Sequence, residues 1–210
     1  MARPFADRAA AGRALGERLA GAGLDRPLVI GLARGGVPVA VAAAALLPGA
    51  EVDVGVARKI TAPGRPEAGL GAVAVDGEPV WFDRALDTAG LTPDALADVV
   101  AAQRAEAARR EAVYGAGWRD RVPSRDVVLV DDGIATGMTV LAALEAIAAA
   151  GPARLLLGVP VASPPSLGRL GAWRDALVAV LVPDEFRAVG DLYDDFGQLT
   201  DDDVRRVLGR

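Results

Sequence analysis

The sequence predicts an α/β fold: a mostly parallel, twisted sheet with helices on both faces. Two observations carry the prediction. Five short apolar runs, "PLVIGLA" (27–33), "VDVGVA" (52–57), "VVLVD" (127–131), "RLLLGVPVA" (154–162) and "ALVAVLVP" (176–183), have strand length and no regular polar alternation, as strands buried on both faces require. The segments between the first four are Ala-rich or helically spaced, and strands alternating with helices indicate a parallel sheet. With 210 residues, 52% of them apolar, one domain over 1–210 is expected, without a linker or internal repeat.

The elements follow in chain order. Leu15 and Leu19, with Ala10, Ala11 and Ala22, give a first amphipathic helix ending near Gly21 or Gly23. After the strand at 27–33 and a Gly-Gly step, the Ala-rich stretch 37–47 reads as a helix stopped by Pro48 and Gly49. Beyond the strand at 52–57, "RKITAPGRPEAGLG" (58–71) is rich in Pro, Gly and charge and is expected to be an exposed, mobile loop. It returns into "AVAVDGEPVWFD", where Asp76-Gly77 between apolar runs signals a hairpin. Thr92-Pro93-Asp94 caps a long helix over about 93–114 that Gly115 closes. Met138 to Ala150 is the helix behind the strand at 127–131.

Composition excludes several chemistries. The chain has no Cys and no His, which removes disulfides, thiolate nucleophiles, Ser-His triads and the usual zinc ligands. The net charge of −5 without long runs of one sign argues against a nucleic-acid surface and against a polybasic membrane patch. The longest apolar run, 37–47, falls short of the roughly 18 residues of a membrane span. The first residues lack an apolar signal core. A cytoplasmic protein is the expectation.

The chemistry gathers at strand ends, where open parallel sheets bind ligands. Asp131 and Asp132 close the strand at 127–131, and Gly133 to Thr139 then leads into a helix. Backbone N–H groups at such a helix N-terminus suit an anion. Thr136 and Thr139 add hydroxyls, and Gly137 allows close approach. The paired carboxylates suit a neighbouring diol or a magnesium ion, and a sugar phosphate presents both needs together. Taken alone, Asp132 and Thr136 also fit a plain cap and turn. The end of the first strand carries Arg34, Gly35 and Gly36, suited to a second anion or simply to a tight turn. The third end carries Arg58 and Lys59; Lys59 is the only lysine beside 22 arginines, and a compact ammonium serves a different geometry from a guanidinium. The sequence contains neither a Walker phosphate loop nor a Gly-x-Gly-x-x-Gly after a strand, which disfavours ATPases and dinucleotide enzymes.

"VVLVDDGIATGMT" resembles the phosphoribosyl pyrophosphate motif of the type I phosphoribosyltransferases. By that resemblance Asp131 and Asp132 hold the ribose 2- and 3-hydroxyls, and Ala135, Thr136, Gly137, Met138 and Thr139, with Gly133 before them, cradle the 5-phosphate. Arg34, Gly35 and Gly36 match the family's pyrophosphate loop, in which a non-proline cis peptide often occurs, here entering or leaving Arg34. Arg58 and Lys59 before a loop resemble the catalytic loop that closes over the pyrophosphate, with Arg65 on that loop. The likeness spans roughly 28–162, with a small hood formed by the N- and C-terminal segments. A further likeness, to uncharacterised phosphoribosyltransferase-like proteins with "RGG" and "RK...APG.PE" segments, extends over the whole chain.

The implied reaction transfers a phosphoribosyl group to a nitrogen acceptor, a purine or other nucleobase, with release of pyrophosphate. Arg34, Lys59, Asp131 and Asp132 are the implied catalytic residues. Magnesium is implied, held mainly through the substrate pyrophosphate rather than by a protein metal site; the hairpin-to-helix stretch "WFDRALDTAGL" (81–91) is a candidate interface for a homodimer. "VPDEFRAVGDLYDDF" loosely resembles the end of the hypoxanthine-guanine enzymes, where Phe186 would stack on the base, although Gly190 is displaced by one residue. Equally, Phe186, Tyr193 and Phe196 read as anchors for an acidic tail. Ala135 stands where the hypoxanthine-guanine enzymes carry Asp and cannot move a proton. Glu67 is a candidate base only in passing, since a solvated loop carboxylate is the better reading. A binding or regulatory protein with the same pocket and no turnover, acting through RNA or a partner protein, stays open as the alternative.

Overall fold

The computed structural model describes residues 3–210. Five parallel strands form the main sheet: β1 (Leu28–Leu32), β2 (Glu51–Gly55), β6 (Asp126–Val130), β7 (Arg154–Val161) and β8 (Leu177–Leu181), in the order β2-β1-β6-β7-β8. The order reverses direction at β1, so the crevice between the ends of β1 and β6 is the switch point where such sheets bind ligands. The expected α/β sheet with helices on both faces is borne out.

Both faces are covered because alternate strand residues feed different cores. Val29, Val128 and Val130 pack on one side against α1 (Arg8–Ala20) and α2 (Gly36–Ala44) through Leu15, Leu19, Val39 and Ala43. Leu28, Ile30, Val127 and Leu129 pack on the other against α5 (Met138–Ala149) through Val140, Leu144 and Ile147. Each fully buried Leu, Ile or Val is worth about 1.5–3 kcal/mol of transfer free energy. Helices α1 and α2 cross closely at glycines. A Cβ on Gly12 would lie 2.5 Å from the Val39 carbonyl, and one on Gly16 2.8 Å from that of Ala43.

Residues 58–71 differ from the expected loop. β3 (Ala57–Ala62) and β4 (Arg65–Ala74) pair antiparallel, and β5 (Val80–Trp81) completes a separate three-stranded sheet. The Pro63-Gly64 signal marks only the turn, with Gly64 at φ +70°. Around it, Ile60, Ala62 and Leu70 are buried with Leu86 of α3 (Asp83–Ala89) and Leu96, and that apolar alternation outweighs the Pro and Gly content. The Asp76-Gly77 hairpin forms through a five-residue connection. The helix expected from 93 opens with a 3₁₀ turn at Asp94–Leu96 before α4 (Ala97–Tyr114), and Gly115 closes it at φ +65°. α6 (Pro164–Arg169) and α7 (Asp201–Leu208) complete the chain. No described helix is long and apolar enough to cross a membrane.

Candidate functional site

The loop after β6 is built to expose backbone. Ile134, 1% exposed, anchors it by bridging to Ala162, with its N–H on the Val161 carbonyl at 2.8 Å. The Ser163 hydroxyl donates to the Ala135 carbonyl at 2.7 Å and fixes the next residue. Ala135 and Thr136 are exposed, and Gly137, at φ +81°, caps α5 with no side-chain hydrogen bond. The N–H groups of Ala135, Thr136 and Gly137 meet no protein acceptor among the described residues. Met138 and Thr139 form the first turn of α5 above them, so the helix presents unsatisfied donors at this point. Ser163 was not singled out by sequence reasoning, because a lone serine after the neighbouring strand has no local signal.

Asp131 and Asp132 follow β6 directly, and their oxygens are unequally committed. Asp131 Oδ1 accepts the Asp132 N–H at 2.9 Å, and Asp132 Oδ2 accepts the Arg8 Nε–H at 2.8 Å. Asp131 Oδ2 and Asp132 Oδ1 accept no hydrogen bond among the described residues. Burial, and then the adjacent Asp132 carboxylate, pushes Asp131 well above the usual carboxylate range. Burial raises Asp132 as well, against the hydrogen bond and charge of Arg8.

The two glycines after β1 let α2 approach this pair. A Cβ on Gly35 would overlap the Asp132 carboxylate, and one on Gly36 would overlap the Val130 carbonyl. The peptide entering Arg34 is cis. The Arg34 guanidinium lies 3.8 Å from the Asp201 carboxylate at the start of α7, and Asp201 also accepts the Tyr114 hydroxyl at 2.6 Å.

Arg58 and Lys59, expected to act on the same anion, are separated by the strand geometry. Neighbours on a strand point to opposite faces. Arg58 turns to α4, where its Nε donates to Gln103 at 3.0 Å, and burial, with Arg110 next, pulls its pKa down. Lys59 faces the other way, into a cavity of about 290 Å³ shared with Thr61, Glu67, Phe82, Thr136 and Met138. Arg65 is exposed at the hairpin tip. Among the described residues no group of three or more acidic side chains could hold a metal ion.

Phe186 is not brought to these residues. It packs at the edge of a cluster of Phe5, Val161 and Tyr193, and lines a different cavity with Arg3, Arg187 and Asp191. The ring centroids of Phe5 and Tyr193 lie 5.5 Å apart, and those of Tyr193 and Phe196 4.9 Å. These aromatics pin the C-terminal segment, the second of the two readings of its sequence. The surface over Gly133 is taken by Val189, whose Cγ1 lies 2.5 Å from where a Cβ would stand.

Comparison with protein-family models finds no match. The chain is 40% identical over 208 residues to a Mycobacterium tuberculosis protein named "Putative phosphoribosyl transferase", found in strains H37Rv and CDC 1551. That alignment takes in 98% of this chain and 46% of the relative, so the chain spans about half the length of the curated relatives it matches. The crystal structure of the TT1426 protein from Thermus thermophilus is 45% identical, covers 97% of both chains and superposes with a TM-score of 0.78.

Proposed function

From its likeness to the putative phosphoribosyl transferases and the motif at Asp131 to Thr139, we propose that the chain is a type I phosphoribosyltransferase that binds phosphoribosyl pyrophosphate at the ends of β1 and β6 and transfers the phosphoribosyl group to a nitrogen acceptor. The observation that carries this reading is the pairing of two free carboxylate oxygens, Asp131 Oδ2 and Asp132 Oδ1, with the uncapped backbone of Ala135 to Gly137. Two vicinal hydroxyls and one phosphate match that arrangement group for group.

The ribose hydroxyls donate to Asp131 and Asp132. The 5-phosphate takes the N–H groups of Ala135 to Thr139, helped by the Thr136 and Thr139 hydroxyls. The pyrophosphate lies toward Arg34 with its Gly35-Gly36 turn, and Lys59 approaches from the hairpin. As the bond from C1 to pyrophosphate breaks, negative charge grows on the leaving group and positive charge on the ribose ring. Arg34 and Lys59 stabilise the first and the Asp pair the second. Magnesium, carried by the ligand's own pyrophosphate, supplies further charge neutralisation when bound. The chain's donor set fits that arrangement, since the two site carboxylates suit the diol and leave the pyrophosphate to carry the ion.

The acceptor is a purine or other nucleobase in this reading. Phe82, in the cavity with Lys59 and Thr136, is better placed beside the phosphate nest than Phe186. Ala135 carries no proton in the middle of the loop, which favours an acceptor that needs no strong general acid or base there. The same feature supports the alternative of binding without turnover. The test is calorimetry with magnesium phosphoribosyl pyrophosphate, followed by pyrophosphate release over purines, pyrimidines and amines. Binding with release supports transfer; binding without release for any acceptor supports the regulatory alternative; no binding overturns both.

A further inference from the structure

Asp132 is gripped by a residue that no strand-end motif contains. Arg8 opens α1, 124 positions away in sequence, and donates its Nε–H to Asp132 Oδ2 at 2.8 Å. The two side chains are 13% and 15% exposed. The guanidinium is itself held in place: it stacks on the Phe196 ring at 3.9 Å and donates from Nη1 to the Gly197 carbonyl at 2.9 Å. Phe196 packs in turn on Tyr193, whose hydroxyl donates to the Asp132 carbonyl at 2.6 Å. Both the side chain and the main chain of Asp132 are thus tied to one aromatic cluster. The carboxylate also abuts Gly35, nearest at Oδ2, the oxygen that Arg8 holds.

We propose that Arg8 is a positioning residue of the ribose site: by holding Asp132 Oδ2 it leaves Oδ1 as the oxygen that receives a ligand hydroxyl. The inference rests on the reading of the Asp pair as the diol acceptor. A carboxylate free to rotate would present either oxygen, and its binding would lose the ordering already supplied in the unliganded protein. Charge-assisted bonds from a guanidinium restrict a carboxylate more than neutral donors do, and the stacked, planar fork of Arg resists replacement by Lys. Arg8 is the only cationic side chain paired with either carboxylate among the described residues. It also opposes the upward push that burial exerts on Asp132. Arg8 and Phe196, far apart in sequence, thus both become part of the ribose site.

The experiment titrates magnesium phosphoribosyl pyrophosphate and, separately, magnesium pyrophosphate into the wild type, Arg8→Ala and Arg8→Lys, with thermal melts of each. Arg8→Ala is expected to weaken phosphoribosyl pyrophosphate binding about tenfold or more, with Arg8→Lys recovering part of the loss. Pyrophosphate, which has no ribose, should bind all three alike. An equal loss for both ligands, or a lowered Tm with unchanged affinity for the ribose ligand, overturns the inference. If Arg8→Ala does not fold, Arg8→Lys against the wild type carries the same comparison, with a smaller loss confined to the ribose ligand. A wild type that fails to bind phosphoribosyl pyrophosphate overturns the site reading itself, whereas intact binding in every variant removes Arg8 alone.

Discussion

Gly35 and Asp132 are in such close apposition that a single methyl group on Gly35 would overlap the carboxylate. Gly35 has φ −64° and ψ −35°, a conformation open to any residue, so its requirement is steric and comes from the site. Gly36 next to it meets backbone instead, at the Val130 carbonyl.

Gly35→Ala is therefore expected to turn Asp132 away from Arg8 and to weaken phosphoribosyl pyrophosphate binding about tenfold or more, at a cost of about 1–3 kcal/mol in stability. Gly36→Ala should cost more stability, because a strand carbonyl cannot rotate aside. Denaturation and calorimetry on the two variants check the ranking; equal affinity in Gly35→Ala and wild type would remove Asp132 from the ribose site.

Asp131 sets function against stability. Its carboxyl holds its proton more tightly in the folded chain than in the unfolded one, through burial and then Asp132. Between the usual value of 3.8 and the raised one, the folded state binds more protons, so stability falls as pH rises through that interval. Asp131→Asn removes the titration and can keep the bond from the Asp132 N–H. Its Tm should exceed that of the wild type by a margin that widens as pH rises above about 4, while its affinity for phosphoribosyl pyrophosphate falls. Replacing both Asp131 and Asp132 by Asn should abolish that binding with the fold intact, as circular dichroism would report.

Lys59 and Arg58 should separate in kinetics. Lys59→Ala is expected to lower kcat about 10²-fold with a smaller change in phosphoribosyl pyrophosphate affinity, the mark of a group that acts on developing charge. Arg58→Ala loses the bond to Gln103 and should lower Tm with kcat changed less than in Lys59→Ala. Steady-state rates of pyrophosphate release for both variants decide, and an unaltered rate in Lys59→Ala would exclude it from the chemistry.

The proposed role of Phe82 as the aromatic wall of an acceptor pocket is testable by size. Phe82→Leu should raise the acceptor KM several-fold, by loss of about 0.5–1.5 kcal/mol of ring stacking. Phe186→Leu should leave KM unchanged and lower stability by about 1 kcal/mol, since the ring packs against the Phe5 and Tyr193 cluster. The reverse pattern would restore Phe186 as the base-stacking residue.

Much of the fold was legible because its signals are local. A parallel strand buried on both faces is an uninterrupted apolar run, and all five runs are strands of the main sheet. The 58–71 segment misled because Pro63, Gly64 and Pro66 dominate its composition while Ile60, Ala62 and Leu70 carry its packing. Reading it as a strand pair would also have divided Arg58 from Lys59, since adjacent strand residues cannot share a face.

The amino-acid sequence by itself determined the sheet, the loop at Asp131 to Thr139 and the glycines opposite it, because strand periodicity and turn chemistry act over a few residues. Only the tertiary structure decided what holds those groups: Ser163 on the Ala135 carbonyl, Asp201 beside Arg34, and Arg8 with Phe196 and Tyr193 around Asp132. Each joins residues tens to nearly two hundred positions apart. Such contacts leave no repeat or spacing in the chain, since they form where the folded core delivers its ends.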